Sequence, residues 1–127
     1  MKESRQLEYK EKISNTFLKT VSAFANYDGG SVLFGVNDAG EVVGISDIEQ
    51  KCLDIENSIN DNIKPQPDYC IEIINNGKTI SLNVRPGVNK PYLYKGKAYK
   101  RNDTSTIEVD QIELKRLILA GENKDYE

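Results

Sequence analysis

At 127 residues and 14.3 kDa, with 38% hydrophobic and 29% charged residues, the chain has the size and balance of one soluble domain that needs no metal or disulfide staple to fold. Histidine is absent, which excludes Ser-His-Asp and Cys-His catalysis, imidazole metal ligands and histidine pH switches. The net charge is −3, but it is segregated: residues 1–37 carry +1, residues 38–72 carry −7, residues 73–102 carry +7 without one carboxylate, and residues 103–127 carry −4.

No apolar run approaches the roughly 18 residues of a membrane span, and the polar start Met1-Lys2-Glu3-Ser4 is unlike a signal peptide. Cys52 and Cys70 form no CxxC and read as buried thiols of a cytoplasmic protein.

In chain order, Leu7 and Tyr9 alternate with Glu8 and Lys10, which suits a short strand. Ile13, Phe17, Val21 and Phe24, widened by Leu18 and Ala25, predict an amphipathic helix that Asp28-Gly29-Gly30 stops. The apolar run Ser31–Val36 predicts a central strand covered on both faces. Asn37-Asp38-Ala39-Gly40 is a turn, and Glu41–Ile45 is expected to pair back as a hairpin arm. A second helix is capped by Ser46 or Asp47, with Ile48, Cys52, Ile55, Ile59 and Ile63 inward and Pro65 and Pro67 closing it.

Tyr69–Ile74 and Thr79–Val84 flank the turn Asn75-Asn76-Gly77-Lys78 and predict a hairpin. After the Pro86–Pro91 loop, Tyr92–Tyr94 and Lys97–Lys100 flank Lys95-Gly96 as a second tight hairpin. Thr106 is expected to cap a last helix from near Glu108, with Val109, Ile112, Leu117 and Ile118 inward and Gly121 as its stop. The order β-α-ββ-α-ββ-ββ-α predicts an α+β domain, a mixed and mostly hairpin-connected sheet packed with about three helices.

Two constellations bear on chemistry. If the first strand neighbours the central one, Glu3, Glu8 and Asp38 meet at one end of the sheet. Clustered carboxylates without histidine form a hard-oxygen site suited to Mg²⁺ or Mn²⁺, which can activate water and neutralise charge on a phosphodiester. Lys10 shares a strand face with Glu8 and is placed to touch a phosphate. The second constellation is the basic stretch: Lys78, Arg85, Lys90, Lys95, Lys97, Lys100 and Arg101, interleaved with Tyr92, Tyr94 and Tyr99. Lysine and arginine neutralise phosphates and tyrosine faces stack on unpaired bases; the bland alternative is a lysine-protected edge hairpin. Gly29-Gly30, Gly35 and Gly40 belong to neither a GxxxxGK[ST] loop nor a GxGxxG turn and read as turn glycines.

Glu3-Ser4, Leu7-Glu8-Tyr9-Lys10, Ser22-Ala23-Phe24-Ala25-Asn26 with Gly29-Gly30, Leu33-Phe34-Gly35-Val36-Asn37-Asp38 and Val43-Gly44-Ile45 together resemble the Schlafen AlbA-type domain. Ile63-Lys64-Pro65, Pro91-Tyr92 and Tyr99-Lys100-Arg101 with Thr104 and Thr106 agree, so the resemblance runs from Glu3 to Leu119. It implies a single domain over residues 1–121, with residues 122–127 starting a linker to a further C-terminal region. Bacterial members of that family are N-terminal domains of transcriptional regulators and of DNA-binding or helicase-related proteins. In vertebrate Schlafen proteins the same motif carries a metal-dependent endoribonuclease, whose acids and lysine correspond here to Glu3, Glu8, Asp38 and Lys10. Tyr9 stands where phenylalanine is usual. That nuclease joins two such lobes around RNA, so a homo-oligomer is among the expected partners.

The leading expectation is a nucleic-acid-binding domain, for DNA or RNA, of a bacterial transcriptional regulator or helicase-related protein. The basic stretch would follow phosphates and Tyr92, Tyr94 and Tyr99 would stack on bases. The alternatives are a divalent-metal-dependent endoribonuclease with Glu3, Glu8 and Asp38 as ligands, and a protein-interaction module docking on the rest of its own chain.

Overall fold

The computed structural model describes residues 3–122. β1 (Leu7–Lys10) lies parallel to β2 (Gly30–Phe34), with Glu8 beside Val32 and Lys10 beside Phe34. Parallel neighbours need a crossover, and α1 (Phe17–Asn26) supplies it. Skipping α2 (Ile48–Asn62) and the short β3 (Ile63–Lys64), the hairpin β4 (Tyr69–Ile74) and β5 (Thr79–Val84) completes the sheet in the order β1-β2-β5-β4. β6 (Leu93–Tyr94) pairs with β3, and β7 (Tyr99–Asn102) with β8 (Ser105–Glu108), before α3 (Gln111–Glu122). The domain is α+β, as expected, with three helices among the described residues.

The apolar stripe of α1 decides which sheet face is covered. Phe17, Leu18, Val21 and Phe24 pack on Val32, Phe34, Ile80 and Leu82, with the Phe17 and Phe34 rings edge to face at 5.4 Å. Ile55, Ile59 and Ile63 join the same core from α2 and its end, as their spacing predicts. The β4–β5 turn holds Asn75, Asn76 and Gly77 at φ of 54°, 58° and 81°, the backbone for which these residue types are suited.

Several local expectations change. Glu41–Ile45 forms no strand: Gly35 turns the chain at φ 94°, and its carbonyl accepts from both Val43 and Gly44, leaving one bridge between Val36 and Val42. The Lys95-Gly96 hairpin shrinks to a tight turn closed by Tyr94 and Lys97, because Tyr94 pairs with Ile63 and Tyr99–Asn102 pairs with β8. Thr106 lies within β8, so Asp110 caps α3 instead, its Oδ1 accepting from Glu113 N at 2.8 Å. Gly121 lies inside α3, where a Cβ would collide with the Lys90 carbonyl. Ile112 and Ile118 are exposed while Val109 and Leu117 are buried. Asp47 precedes α2 in the left-handed conformation and makes no side-chain cap bond. Cys70 is exposed on β4 and Cys52 half-buried, so neither is a fully buried thiol. No helix of the described residues is long and apolar enough to cross a membrane. The expected linker begins at Glu122, which still belongs to α3; residues 123–127 lie outside the described residues.

Candidate nucleic-acid interface

Glu8 shares the covered face with Val32, so its carboxylate sits beneath α1, buried. Arg101 Nη1 donates to Glu8 Oε1 at 2.8 Å, and Thr20 Oγ1 donates to Oε2 at 3.0 Å. The other donors of Arg101 reach Thr106 Oγ1 at 3.1 Å, the Ser4 carbonyl at 2.8 Å and the Arg5 carbonyl at 3.2 Å. Its guanidinium lies 5.6 Å from the centre of the Phe24 ring. With the two side chains 3% and 10% exposed, each charge is tolerable only because the other faces it. Arg101 is therefore a clasp joining β7 to β1 and the N-terminal turn, not a group open to a phosphate.

Glu3 serves the sheet edge. The Gln6 and Lys10 carbonyls bond to Ser31 and Gly35, so Leu7 and Tyr9 turn their main-chain groups away from β2. Leu7 exchanges both bonds with Ser4, and Tyr9 N donates to Glu3 Oε2 at 3.1 Å. Asp38 is exposed in the turn beyond β2, which Asn37 Oδ1 organises by accepting from Ala39 N and Glu41 N. Among the described residues, no three or more cysteine or carboxylate groups are placed to hold a metal ion. In this arrangement the expected Glu3, Glu8 and Asp38 do not converge: both oxygens of Glu8 are engaged, by Arg101 and Thr20, Glu3 accepts from Tyr9 N, and Asp38 is exposed.

The acid-free stretch does not fold into one basic patch. Arg85 pairs with Asp68 at 3.7 Å, Lys97 with Glu108 at 3.6 Å and Lys100 with Glu113 at 3.9 Å. Lys78 lies on the β4–β5 turn, and the Lys90 backbone lies beside Gly121 of α3. Tyr92, Tyr94 and Tyr99 are core side chains, 2%, 5% and 8% exposed, which removes them as stacking platforms for bases. Tyr92 fills the space over Gly87 and accepts from Asn89 N.

Lys95 and Lys97 of that stretch instead come together with cations from elsewhere. Asn15, Thr16 and Lys19, where α1 begins, face Tyr94, Lys95, Lys97 and Tyr99 across an open groove of about 370 Å³. Lys19 and Lys95 lie over the Tyr99 and Tyr94 rings, at 5.8 and 5.4 Å from their centres. Lys10 reaches the rim, donating to Thr16 Oγ1 at 3.2 Å while 3.9 Å from Glu8 Oε2. Lys95 is held at φ 52° and Gly96 at 77°, so the turn tip carries a lysine where asparagine would fit more easily. Lys19 escaped the sequence reading, since one lysine on the polar side of a helix gives no signal.

Ser22 and Asn26 hold the other wall in place. Asn26 Oδ1 accepts from Tyr92 N at 2.7 Å and its Nδ2 donates to Tyr92 O at 3.0 Å, as a strand partner would. Ser22 Oγ donates to the same carbonyl and accepts from Tyr99 N. A smaller cavity of about 100 Å³ beside Arg5, Gln6 and Tyr27 has its polar groups already engaged, Arg5 with Asp28 at 2.7 Å and Gln6 with the Asp28 carbonyl. There, burial and then the hydrogen bond to Glu113 push the Tyr27 phenol above the usual tyrosine range.

The model of the Schlafen, AlbA_2 family matches residues 3–110. The chain belongs to that family. Its clasp and its Ser22–Asn26 staple both lie within the matched residues of this Schlafen AlbA_2 domain. No curated protein matches it in sequence. Among solved structures, the DIP2311 protein from Corynebacterium diphtheriae shares the fold at a TM-score of 0.63 and 18% identity. The match covers 89% of this chain and 23% of that one. The N-terminal domain of a protein described as related to the ATP-dependent DNA helicase RecG, from Nitrosomonas europaea, is similar at 28% identity and a TM-score of 0.54, over 83% of both chains.

Proposed function

We propose that this Schlafen AlbA_2 domain binds nucleic acid by its phosphate backbone, in the groove between the start of α1 and the Lys95–Gly96 turn. The observation that carries the reading is the convergence of Lys10, Lys19, Lys95 and Lys97 from three separate segments. The positive end of the α1 dipole lies on the same side and favours an anion. The similarity to a domain of a RecG-related protein supports the same reading and suggests a role as the nucleic-acid-holding part of a longer regulator or helicase-related protein. Because the tyrosines are buried, backbone contacts dominate and little sequence preference is expected.

The test is fluorescence anisotropy with labelled single-stranded and duplex DNA and RNA at low and physiological salt. Each phosphate contact on a duplex contributes a log–log salt slope of about −0.9. The Lys19→Glu/Lys95→Glu protein, altered only at exposed positions, should bind at least about tenfold more weakly and lose about two units of slope. Unchanged affinity and slope in that protein would overturn the reading.

A further inference from the structure

The two edges of the four-stranded sheet are finished differently. β1 is closed by its own N-terminal turn, whereas β4 ends the sheet on the other side and packs mainly on β5. Arg85 N donates to the Asp68 carbonyl at 2.9 Å, and those residues stand opposite each other in the register that sets Tyr69 beside Val84. That bond fixes the phase of the ladder. Cys70 and Glu72 bond to β5, while the main-chain groups of Tyr69, Ile71 and Ile73 project from the edge. They meet no main-chain partner elsewhere among the described residues. Natural edges are blunted by lysine, proline or a bulge. β4 has none of these, and Glu72 is its one charge. Pro67, which lacks an N–H, and Asn75 at φ 54° bound the open run.

We propose that β4 is a dimerisation strand, pairing antiparallel with β4 of a second copy of this chain about a two-fold axis at Ile71. Tyr69, Ile71 and Ile73 then each exchange both main-chain bonds, with the partner's Ile73, the partner's Ile71 and the partner's Tyr69. The strand is self-complementary in this register. Ile73, 44% exposed, comes to lie against the partner's Tyr69 on the covered side of the sheet. On the other side Cys70 stands opposite the partner's Glu72. Glu72 is already held by Asn83 Nδ2 at 3.0 Å, so its charge enters the seam with a partner. An axis at Glu72 would set two carboxylates face to face, and an axis at Cys70 would leave Ile73 unpaired.

Sedimentation of the whole chain from micromolar to millimolar concentration should give twice the mass of 14.3 kDa. Ile73→Lys, at an exposed position, should return it to the single mass with an unchanged circular dichroism spectrum. In this register Cys70 and residue 72 of the partner form a non-hydrogen-bonded pair, the closest approach in an antiparallel ladder. Oxidised Glu72→Cys protein should therefore run as a covalent dimer, and Cys70→Ser/Glu72→Cys should not. A single mass at every concentration, a dimer that Ile73→Lys leaves intact, or no cross-link in a dimeric Glu72→Cys protein would each overturn the proposal. Because these measurements contain no nucleic acid, their outcome is independent of the groove.

Discussion

Removing the Arg101 guanidinium would leave the Glu8 carboxylate beneath α1 with the Thr20 hydroxyl and an ammonium 3.9 Å away as its remaining partners. Breaking one side of such a pair costs about 3–5 kcal/mol, most of the stability of a marginal domain. Arg101→Met and Glu8→Gln should therefore both lower the denaturant midpoint, because each leaves the other charge buried without its counter-ion. Urea unfolding checks both, and a wild-type midpoint for Arg101→Met would show that the clasp contributes nothing. Tyr27 offers a second residue-level test. Its phenol is pushed up by burial and by Glu113, so the native state keeps a proton that the unfolded chain releases above about pH 10. The associated stability is complete below that pH and is lost as pH rises beyond it. Tyr27→Phe should make alkaline unfolding less steep in a melting series above neutral pH.

The elements that follow from local chemistry are the ones a reader of the sequence can place. The β4–β5 hairpin combines clean alternation with three turn residues suited to positive φ, all within one short stretch. The α1 and α2 stripes are likewise local. Tyr94 instead pairs with Ile63 from a distant segment, which no turn signal announces, and that pairing dissolves the hairpin its neighbours suggest. At the start of α3 the competition is between two capping residues. Thr106 is drawn into β8 by its contacts with Thr20 and Arg101, and Asp110 takes the cap. Asp110→Ala should cost about 1 kcal/mol in thermal or urea unfolding, the usual loss when an N-cap acceptor goes. No loss would mean that α3 is held by packing alone.

Across the whole molecule, charge is redistributed by folding. The seven basic residues between 73 and 102 form a block only along the chain; in space Asp68, Glu108, Glu113 and Glu8 answer four of them. The groove gathers two of that block with Lys10 and Lys19, so three of its four lysines were legible in the sequence and Lys19 was not. The expected carboxylate site depended on strand order: β1 does neighbour β2, but Glu3 is turned to the sheet edge and Glu8 toward Arg101.

The Arg101–Glu8 clasp also sets a schedule for the growing polypeptide. The two residues are 93 positions apart, which at about 5–20 residues per second separates their emergence from the ribosome by on the order of ten seconds. During that interval β1, α1 and β2 have all been made, while Glu8 has only the Lys10 ammonium at 3.9 Å and the Thr20 hydroxyl to answer it. Burial of that carboxylate is costly until the guanidinium faces it, so lasting docking of β1 is expected only once β7 has been made. A nascent chain stalled before Arg101 thus lacks the anchor of its N-terminal turn.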